Sequence, residues 1–230
     1  MSDVRVKICG ITNLEDACIA LQAGADYLGF NLYPKSPRYI APDIIKQMIL
    51  DIGDWVLQRD APIPSPQSPI PNTPRFVGIF VNETVERISD ILTFTGLDYA
   101  QLHGDEPPGS LQRLTGKAFK AVRPADAADA SEAATRFAPL GLDDGPQLLI
   151  DAYDPAEYGG TGKKADWNSA AVLAQRYPRL MLAGGLTPAN VAQAIRAVRP
   201  WAVDVSSGVE TSPGRKDHDA LRAFLRAARA

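Results

Sequence analysis

The chain has few of the residues that build disulfide frameworks and metal centres. Its 230 residues include only two cysteines and two histidines. Two cysteines do not form the disulfide framework of a small secreted protein, so Cys9 and Cys18 are expected to be free thiols. His103 and His218 are not accompanied by a cluster of ligand residues, so no catalytic metal is predicted.

Two further absences restrict the possible partners. The sequence enters a strand pattern at its fourth residue without a signal-peptide core, and no apolar run is long enough to cross a bilayer. The formal net charge is -3 and both signs are spread along the chain, so no basic stripe indicates nucleic-acid binding. We therefore expect a cytoplasmic protein with neither a membrane nor a nucleic acid as partner.

What the sequence does contain is an alternation of short β-rich runs with amphipathic helical stretches. Hydrophobic residues make up 45% of the chain, which is enough for a large core. Eight such units in a chain of this length favour closure into a parallel (β/α)8 TIM barrel, formed as one domain by residues 1–230. The predicted strands are Val4–Cys9, Tyr27–Leu32, Phe76–Val81, Tyr99–Leu102, Ala118–Val122, Leu148–Asp151, Leu180–Ala183 and Ala202–Val205.

The first helix and one irregular segment can also be located. The helix is predicted from Leu14 to Ala23, with Asn13 as its N-cap, Gly24 as its stop and Cys18 packed on its apolar face. Residues 60–74 contain six prolines among Ser, Gln and Asn, which favours extended polyproline-like chain. This segment is predicted to be a tolerated insertion between the second helix and the third strand, opposite the catalytic end.

Reactive groups of such barrels come from the carboxyl ends of the strands and the loops that follow them. The first strand ends in Cys9, whose thiol could exchange a proton once deprotonated, although a merely buried thiol is the alternative. We place Lys7 on the other side of this strand, pointing away from Cys9. The sixth strand ends in Asp151, which could act as a general acid or could simply be a helix cap or a salt-bridge partner.

Three loops carry further signals. Small and hydroxyl-bearing residues follow strands seven and eight, at 184–188 and 204–208, which is typical of a phosphate site in this fold. Thr187 is predicted to cap the seventh helix, with Pro188 at its first position. The glycine-rich stretch 158–164 departs from both nucleotide-binding fingerprints, so no nucleotide cofactor is predicted and the stretch is interpreted as a lid.

The strand-end segments together closely resemble the phosphoribosylanthranilate isomerase family of tryptophan biosynthesis over nearly the whole chain. The segments that carry the resemblance are 6–12, 33–40, 101–104, 159–163 and 204–210. The resemblance implies an Amadori rearrangement of N-(5'-phosphoribosyl)anthranilate without a cofactor, with Cys9 as general base and Asp151 as general acid. The Pro-rich insertion departs from the family pattern but leaves these segments intact.

The resemblance also implies roles in substrate binding. Arg38 would bind the anthranilate carboxylate, for which a planar guanidinium is well suited, and Asp204 would orient groups around the site. The phosphate would be held by the loops that contain Gly160, Gly184, Gly185, Ser206, Ser207 and Gly208.

Other functions remain open at this stage. A related phosphosugar barrel is one alternative, such as an aminoaldose isomerase of histidine biosynthesis or an indole-forming synthase. The histidine-pathway isomerase relies on two aspartates, so Cys9 paired with Asp151 disfavours it. A catalytically silent barrel that binds a phosphometabolite or a partner protein is another, because a fold does not fix function. We expect a monomer, with a homodimer as the alternative.

Overall fold

The structure is a computed structural model that describes residues 4–59, 74–151 and 167–230. Eight parallel strands follow one another in chain order and close into a barrel, so the predicted TIM barrel is confirmed. The strands are β1 (Arg5–Cys9), β2 (Tyr27–Asn31), β3 (Arg75–Phe80), β4 (Tyr99–Leu102), β5 (Ala118–Val122), β6 (Leu148–Asp151), β7 (Leu180–Ala183) and β8 (Ala202–Val205). Five match the predicted bounds, β1 and β2 differ by one residue at one end, and β3 is shifted by one residue at both ends.

Helices cover the outside of the barrel. They are α1 (Leu14–Gln22), α2 (Pro42–Arg59), α3 (Val85–Thr95), α4 (Pro108–Arg113), α5 (Ala127–Phe137), α6 (Trp167–Arg176), α7 (Val191–Val198) and α8 (His218–Ala228). In α1, Asn13 is the N-cap as predicted, because its side chain accepts a hydrogen bond from the Asp16 amide at 2.9 Å. Within residues 4–59, 74–151 and 167–230, no helix combines the length and the apolar character needed to span a membrane.

A short antiparallel hairpin lies in the connection between β8 and α8. Its strands are β9 (Glu210–Ser212) and β10 (Arg215–Lys216). The hairpin contacts the first βα loop, because the Thr12 hydroxyl donates a hydrogen bond to the Gly214 carbonyl at 2.5 Å. The chain after β8 therefore returns to the end of β1, which is also its neighbour in the barrel.

The barrel interior changes from apolar to polar along the strands. An apolar layer that includes Tyr99, Leu149 and Ala202 fills the interior. Since side chains two residues apart lie on the same side of a strand, the next inward residues are Gln101, Asp151 and Asp204. Polar groups are thereby collected at the carboxyl ends, above a packed apolar layer.

Two predicted features of the loops have different outcomes. The Pro-rich segment follows α2 and precedes β3, but residues 60–73 lie outside the described residues and its placement stays a prediction. The predicted start of the seventh helix is wrong by several residues. Residues 188–190 form a turn closed by a bond from the Asn190 amide to the Thr187 carbonyl at 3.2 Å, so α7 begins only at Val191.

Candidate active site

A cavity of about 1150 Å³ opens at the carboxyl ends of the strands. Residues from β1, β4, β6, β7 and β8 and from the loops that follow β2 and β5 line it. The structure brings together nine of the predicted site residues in its wall: Cys9, Arg38, Asp151, Gly184, Gly185, Asp204, Ser206, Ser207 and Gly208. The tenth, Gly160, lies outside the described residues, as does the glycine-rich stretch interpreted as a lid.

Cys9 ends β1 and is partly exposed in this cavity. Burial raises the pKa of its thiol, and the charge of Asp204 acts in the same direction, whereas Lys7 and Lys216 lower it. The net pKa is above the ordinary thiol value. The thiol is therefore mainly protonated at neutral pH in the ligand-free protein, and it can work as a base only through its minor thiolate form.

Lys7 lies on the same side of β1 as Cys9, so the predicted outward placement of Lys7 is wrong. The physical reason is the two-residue repeat of a strand, which turns residues 7 and 9 to the same face. The Lys7 side chain is completely buried, and its Nζ lies 3.0 Å from Oδ1 of Asp204. Asp204 comes from the neighbouring strand β8, where the chain is in register with Lys7.

Arg38 lies in the connection between β2 and α2 and is held by a carboxylate from the β9–β10 hairpin. Its Nε lies 2.9 Å from Oε1 of Glu210, and its Nη2 lies 2.6 Å from Oε2. Lys216 donates a further hydrogen bond to Glu210 at 2.8 Å and another to the Cys9 carbonyl at 2.6 Å. Burial opposes ionisation of Glu210, but its bonds to Arg38 and Lys216 prevail and lower its pKa.

The Arg38 side chain also passes directly over Gly10. A Cβ at residue 10 would lie 2.6 Å from Arg38 Cδ, and the backbone there has a φ of +77°. Both observations require glycine, because a side chain would clash and would be strained in the left-handed region. The glycine after Cys9 thus makes room for the guanidinium beside the thiol.

Asp151 ends β6, three strands away from β1 around the barrel. Its Oδ2 accepts a hydrogen bond from Nε of Arg123 at 3.2 Å, and its side chain is 18% exposed while that of Arg123 is 66% exposed. The carboxylate thus has both a cationic neighbour and access to the cavity. Asp151 is therefore both a salt-bridge partner of Arg123 and part of the cavity wall.

The loops after β7 and β8 approach each other closely. Gly184 and Gly185 have φ values of +95° and +60°, a conformation that glycine adopts without strain. A Cβ at Gly208 would lie 1.9 Å from the Leu186 carbonyl oxygen, so only glycine permits this approach. Ser206 follows β8, its hydroxyl lies beside Gly10, and this buried hydroxyl has no hydrogen-bond partner within the described part of the chain.

The sequence and the fold that carry this site are similar to those of known proteins. A family model described as N-(5'-phosphoribosyl)anthranilate (PRA) isomerase matches residues 65–227. The chain belongs to the PRA isomerase family.

Relatives and solved structures of PRA isomerases agree with this assignment. The isomerase of Trichlorobacter lovleyi is 42% identical over 226 residues, which cover 98% of both chains. The crystal structure of the Thermotoga maritima isomerase is 41% identical, has a TM-score of 0.79 and also covers 98% of both chains. A further solved PRA isomerase, in complex with reduced 1-(o-carboxyphenylamino)-1-deoxyribulose 5-phosphate, is 38% identical with a TM-score of 0.76.

Two cavity residues of this PRA isomerase family member were not predicted as site residues. Gln101 and His103 project from the end of β4, and Nε2 of Gln101 lies 3.3 Å from Nδ1 of His103. Oε1 of Gln101 and Nε2 of His103 are buried without a partner among the described residues. The signal was present in the sequence, because two polar residues spaced by two at a strand end must both face the barrel mouth.

His103 is held in its neutral form. Burial lowers its pKa to about 3, and the nearby positive charges of Arg123, Lys7 and Lys120 act in the same direction. A neutral imidazole whose Nδ1 accepts from Gln101 carries its proton on Nε2. Gln101 and His103 therefore offer the cavity one hydrogen-bond acceptor and one donor.

Proposed function

We propose that this chain converts PRA into 1-(2-carboxyphenylamino)-1-deoxyribulose 5-phosphate by an Amadori rearrangement in tryptophan biosynthesis. The observation that carries the proposal is that a thiol and a carboxylate, Cys9 and Asp151, line one cavity together with two glycine- and serine-rich loops. Membership of the PRA isomerase family supports the same reaction. Acid and base side chains are sufficient for each step, so the proposed reaction uses no cofactor.

In the first step Asp151 acts as general acid. As the bond between C1' and the ring oxygen breaks, its electron pair goes to the oxygen, which takes the proton of Asp151. The lone pair of the anthranilate nitrogen forms a double bond to C1', which gives an open-chain Schiff base. Asp151 must bind this proton before the step, which its partial exposure to the cavity permits, and it becomes a carboxylate beside Arg123 again when it gives the proton to the ring oxygen.

In the second step the thiolate of Cys9 acts as general base. It takes the proton from C2', the electrons of that C–H bond form a double bond between C2' and C1', and the π electrons of the C1'=N double bond move to nitrogen, which stays singly bonded to C1'. The resulting enolamine tautomerises to the 2'-ketone. The electron-withdrawing iminium carbon makes C2' acidic enough for a thiolate, and a positioned base of this kind contributes about 10² to 10⁴ in rate.

Arg38 is proposed to bind the anthranilate carboxylate. Glu210 uses the Nε proton and one Nη2 proton of Arg38, so three of the five N–H donors of the guanidinium remain for a ligand. The bidentate pair also fixes the guanidinium plane, which reduces the entropy that substrate binding must overcome. The guanidinium lies over Gly10, the residue after Cys9, which supports binding of the anthranilate part of the substrate near the thiol.

The phosphate is proposed to bind between the loops after β7 and β8. Gly184 and Gly185 on one side and Ser206, Ser207 and Gly208 on the other supply backbone amides and hydroxyls. The positive φ values of Gly184 and Gly185 and the close approach of Gly208 to Leu186 support this position, because they bring the backbones of the two loops together. Gly160 is proposed to contribute from the glycine-rich stretch, which would act as a lid, and Asp204 to orient groups from below.

The experiment follows the loss of anthranilate-type fluorescence after purified protein is mixed with freshly made PRA. Cys9→Ala and Asp151→Asn should each lower turnover by about 10² or more, because each removes a positioned proton-transfer group. Cys18→Ala is the matched control, since its thiol lies on α1 away from the cavity lining, and should retain activity. Turnover that is equal in the wild type and both site variants would reject the proposed roles.

We propose that the protein works as a monomeric single domain in the cytoplasm. A solved Thermotoga maritima isomerase that is 38% identical is described as monomers generated from a dimeric protein, which makes a dimer the result to look for by light scattering. A cysteine that serves as a base must stay reduced, which suits the reducing cytoplasm.

A further inference from the structure

Lys7 is a fully buried lysine to which the proposed reaction assigns no role. A lysine is almost never fully buried unless it is paired, because removing its charge from water is costly. Its side chain is 0% exposed, and its ammonium group pairs at 3.0 Å with Asp204, a residue that lines the active-site cavity. The pair raises the pKa of Lys7 although burial alone would lower it, so the lysine stays charged.

The position of Lys7 is defined by its neighbours on β1 and β2. Cys9 is in register with Gly29 of β2, where a Cβ would lie 3.1 Å from the Cys9 sulfur and also 3.1 Å from the Lys7 Nζ. The two atoms thus border the same space, which is available only because residue 29 is glycine. The Lys7 ammonium also has a hydrogen-bonding and electrostatic interaction with the Cys9 sulfur.

We propose that Lys7 is a positioning residue that acts through Cys9: its ammonium group, kept charged by Asp204, stabilises the thiolate that accepts the C2' proton. This inference rests on the proposed function of the site. In the proton transfer the thiolate becomes a thiol when it takes the proton, and Lys7 keeps its own protons throughout. Lys7 contributes by lowering the free energy of the charged form of the base.

The other charged groups around Cys9 cannot replace Lys7. Lys216 donates to the backbone carbonyl of Cys9 rather than to its sulfur, and it lowers the pKa of the thiol less than Lys7 does. The Arg38 guanidinium is held towards Glu210 by its bidentate pair. Asp204 is negative and opposes the thiolate. Lys7 is therefore the cation that interacts most directly with the Cys9 thiolate. Without it the thiol would be still harder to ionise.

The test measures thiolate formation without any substrate. In a Cys18→Ala background Cys9 is the only thiol of the chain, and the rate of its alkylation by iodoacetamide against pH gives the midpoint of its ionisation. Lys7→Met keeps a similar shape without the charge. We expect it to move the midpoint upward by about one pH unit or more, so that alkylation at pH 8 becomes about tenfold slower or more.

A second buried lysine provides the matched control. Lys120 pairs with Glu106, and both side chains are at most 4% exposed, but Lys120 is not among the charged groups that act on the Cys9 thiol, whereas Lys7 is. Lys120→Met should therefore perturb the fold as much as Lys7→Met while leaving the alkylation midpoint of Cys9 unchanged. An equal upward shift in both variants would mean that the effect is a general loosening of the barrel, and would overturn the proposal.

If Lys7→Met does not fold, a double variant still tests the proposal. In an Asp204→Asn background the additional Lys7→Met change leaves no buried unpaired charge, and removing both partners of a buried pair is often tolerated. The double variant should still have a higher midpoint than Asp204→Asn alone. An unchanged or lower midpoint in both comparisons would refute the role of Lys7.

Activity measurements separate this inference from the proposed function. Lys7→Met should lower kcat at pH 7, change KM little, and recover activity as the pH is raised towards the new midpoint. A wild-type protein that shows no isomerase activity, while Lys7→Met shifts the alkylation midpoint, would reject the function and retain the charge relationship. Isomerase activity in the wild type, together with an unchanged alkylation midpoint in Lys7→Met, would retain the function and reject the role of Lys7.

Discussion

Arg38 and Glu210 form a bidentate ion pair between residues 172 positions apart, with N–O distances of 2.6 to 3.1 Å. Only 3% of the Glu210 side chain is exposed, so the pair is shielded from solvent on the carboxylate side. Lys216 completes the arrangement from the opposite side of the carboxylate. The cationic group proposed to bind the substrate is thus fixed before any substrate arrives.

Glu210→Gln should impair substrate binding more than the chemical steps. The amide keeps the shape but cannot accept two charge-assisted hydrogen bonds, so Arg38 should lose its fixed orientation. We expect KM for PRA to rise about tenfold with kcat changed less than about threefold, measured by steady-state fluorescence kinetics. Arg38→Lys is the companion variant and should have a similar or larger effect, because an ammonium lacks the planar fork. Equal KM values in all three proteins would contradict the assignment.

Gly208→Ala should disrupt the proposed phosphate site. Its methyl group would lie 1.9 Å from the Leu186 carbonyl oxygen, so the loops after β7 and β8 must separate. We expect inhibition by inorganic phosphate to weaken and KM for PRA to increase about tenfold or more, as for loss of a good charge-assisted contact. The control is Gly109→Ala in α4, where an added Cβ meets nothing within 4 Å. That change should leave kinetics unaffected and raise stability by about 0.5–1 kcal/mol.

The activity should depend on pH through the Cys9 thiol. Because burial raises the thiol pKa, the base-competent thiolate is the minor form at neutral pH and increases as the pH rises. We therefore expect kcat/KM to increase from pH 7 to beyond about 8.5, the ordinary pKa of a thiol. Stopped-flow fluorescence over this range would measure it. A flat profile would show that a different group, or a step other than proton transfer, limits the reaction.

The neutral state of His103 should affect stability at acid pH. Its pKa is about 3 in the folded protein, against about 6.5 in the unfolded chain. Between these pH values the unfolded chain binds more protons than the folded protein. The contribution of neutral His103 to stability is therefore complete above about pH 6.5 and decreases as the pH falls, by up to about 1.4 kcal/mol per pH unit. Urea unfolding of wild type and His103→Gln at pH 7 and pH 5 should show a smaller loss for the variant. Equal losses in the two proteins would contradict the shifted pKa.

The fold could be predicted from the sequence because its signals are local. Apolar runs of four to six residues, helical periodicity and a capping Asn13 define the strands and α1 within one residue. Cys9 and Asp151 could likewise be placed at the barrel mouth, since both end a strand. The start of α7 was missed because the turn at 188–190 depends on one i→i+3 bond that composition does not reveal.

The network around the candidate site could not be predicted in the same way. The Lys7–Asp204 and Arg38–Glu210 pairs join residues 197 and 172 positions apart, and periodicity carries no information on such partners. The direction of Lys7 is a local property, because the two-residue repeat of a strand turns residues 7 and 9 to the same face. Gln101 and His103 could also have been found by that rule.

The pairing of β1 with β8 has a consequence for the life of the thiol before the protein is complete. Cys9 is synthesised long before Asp204 and Lys216, the residues that enclose it together with Lys7. Until the ribosome has released those later residues, the sulfur is open to oxidants and electrophiles of the cell. The thiol proposed as general base is therefore most accessible to sulfenic acid formation during translation, and we expect oxidative damage to fall mainly on newly made chains rather than on the folded pool.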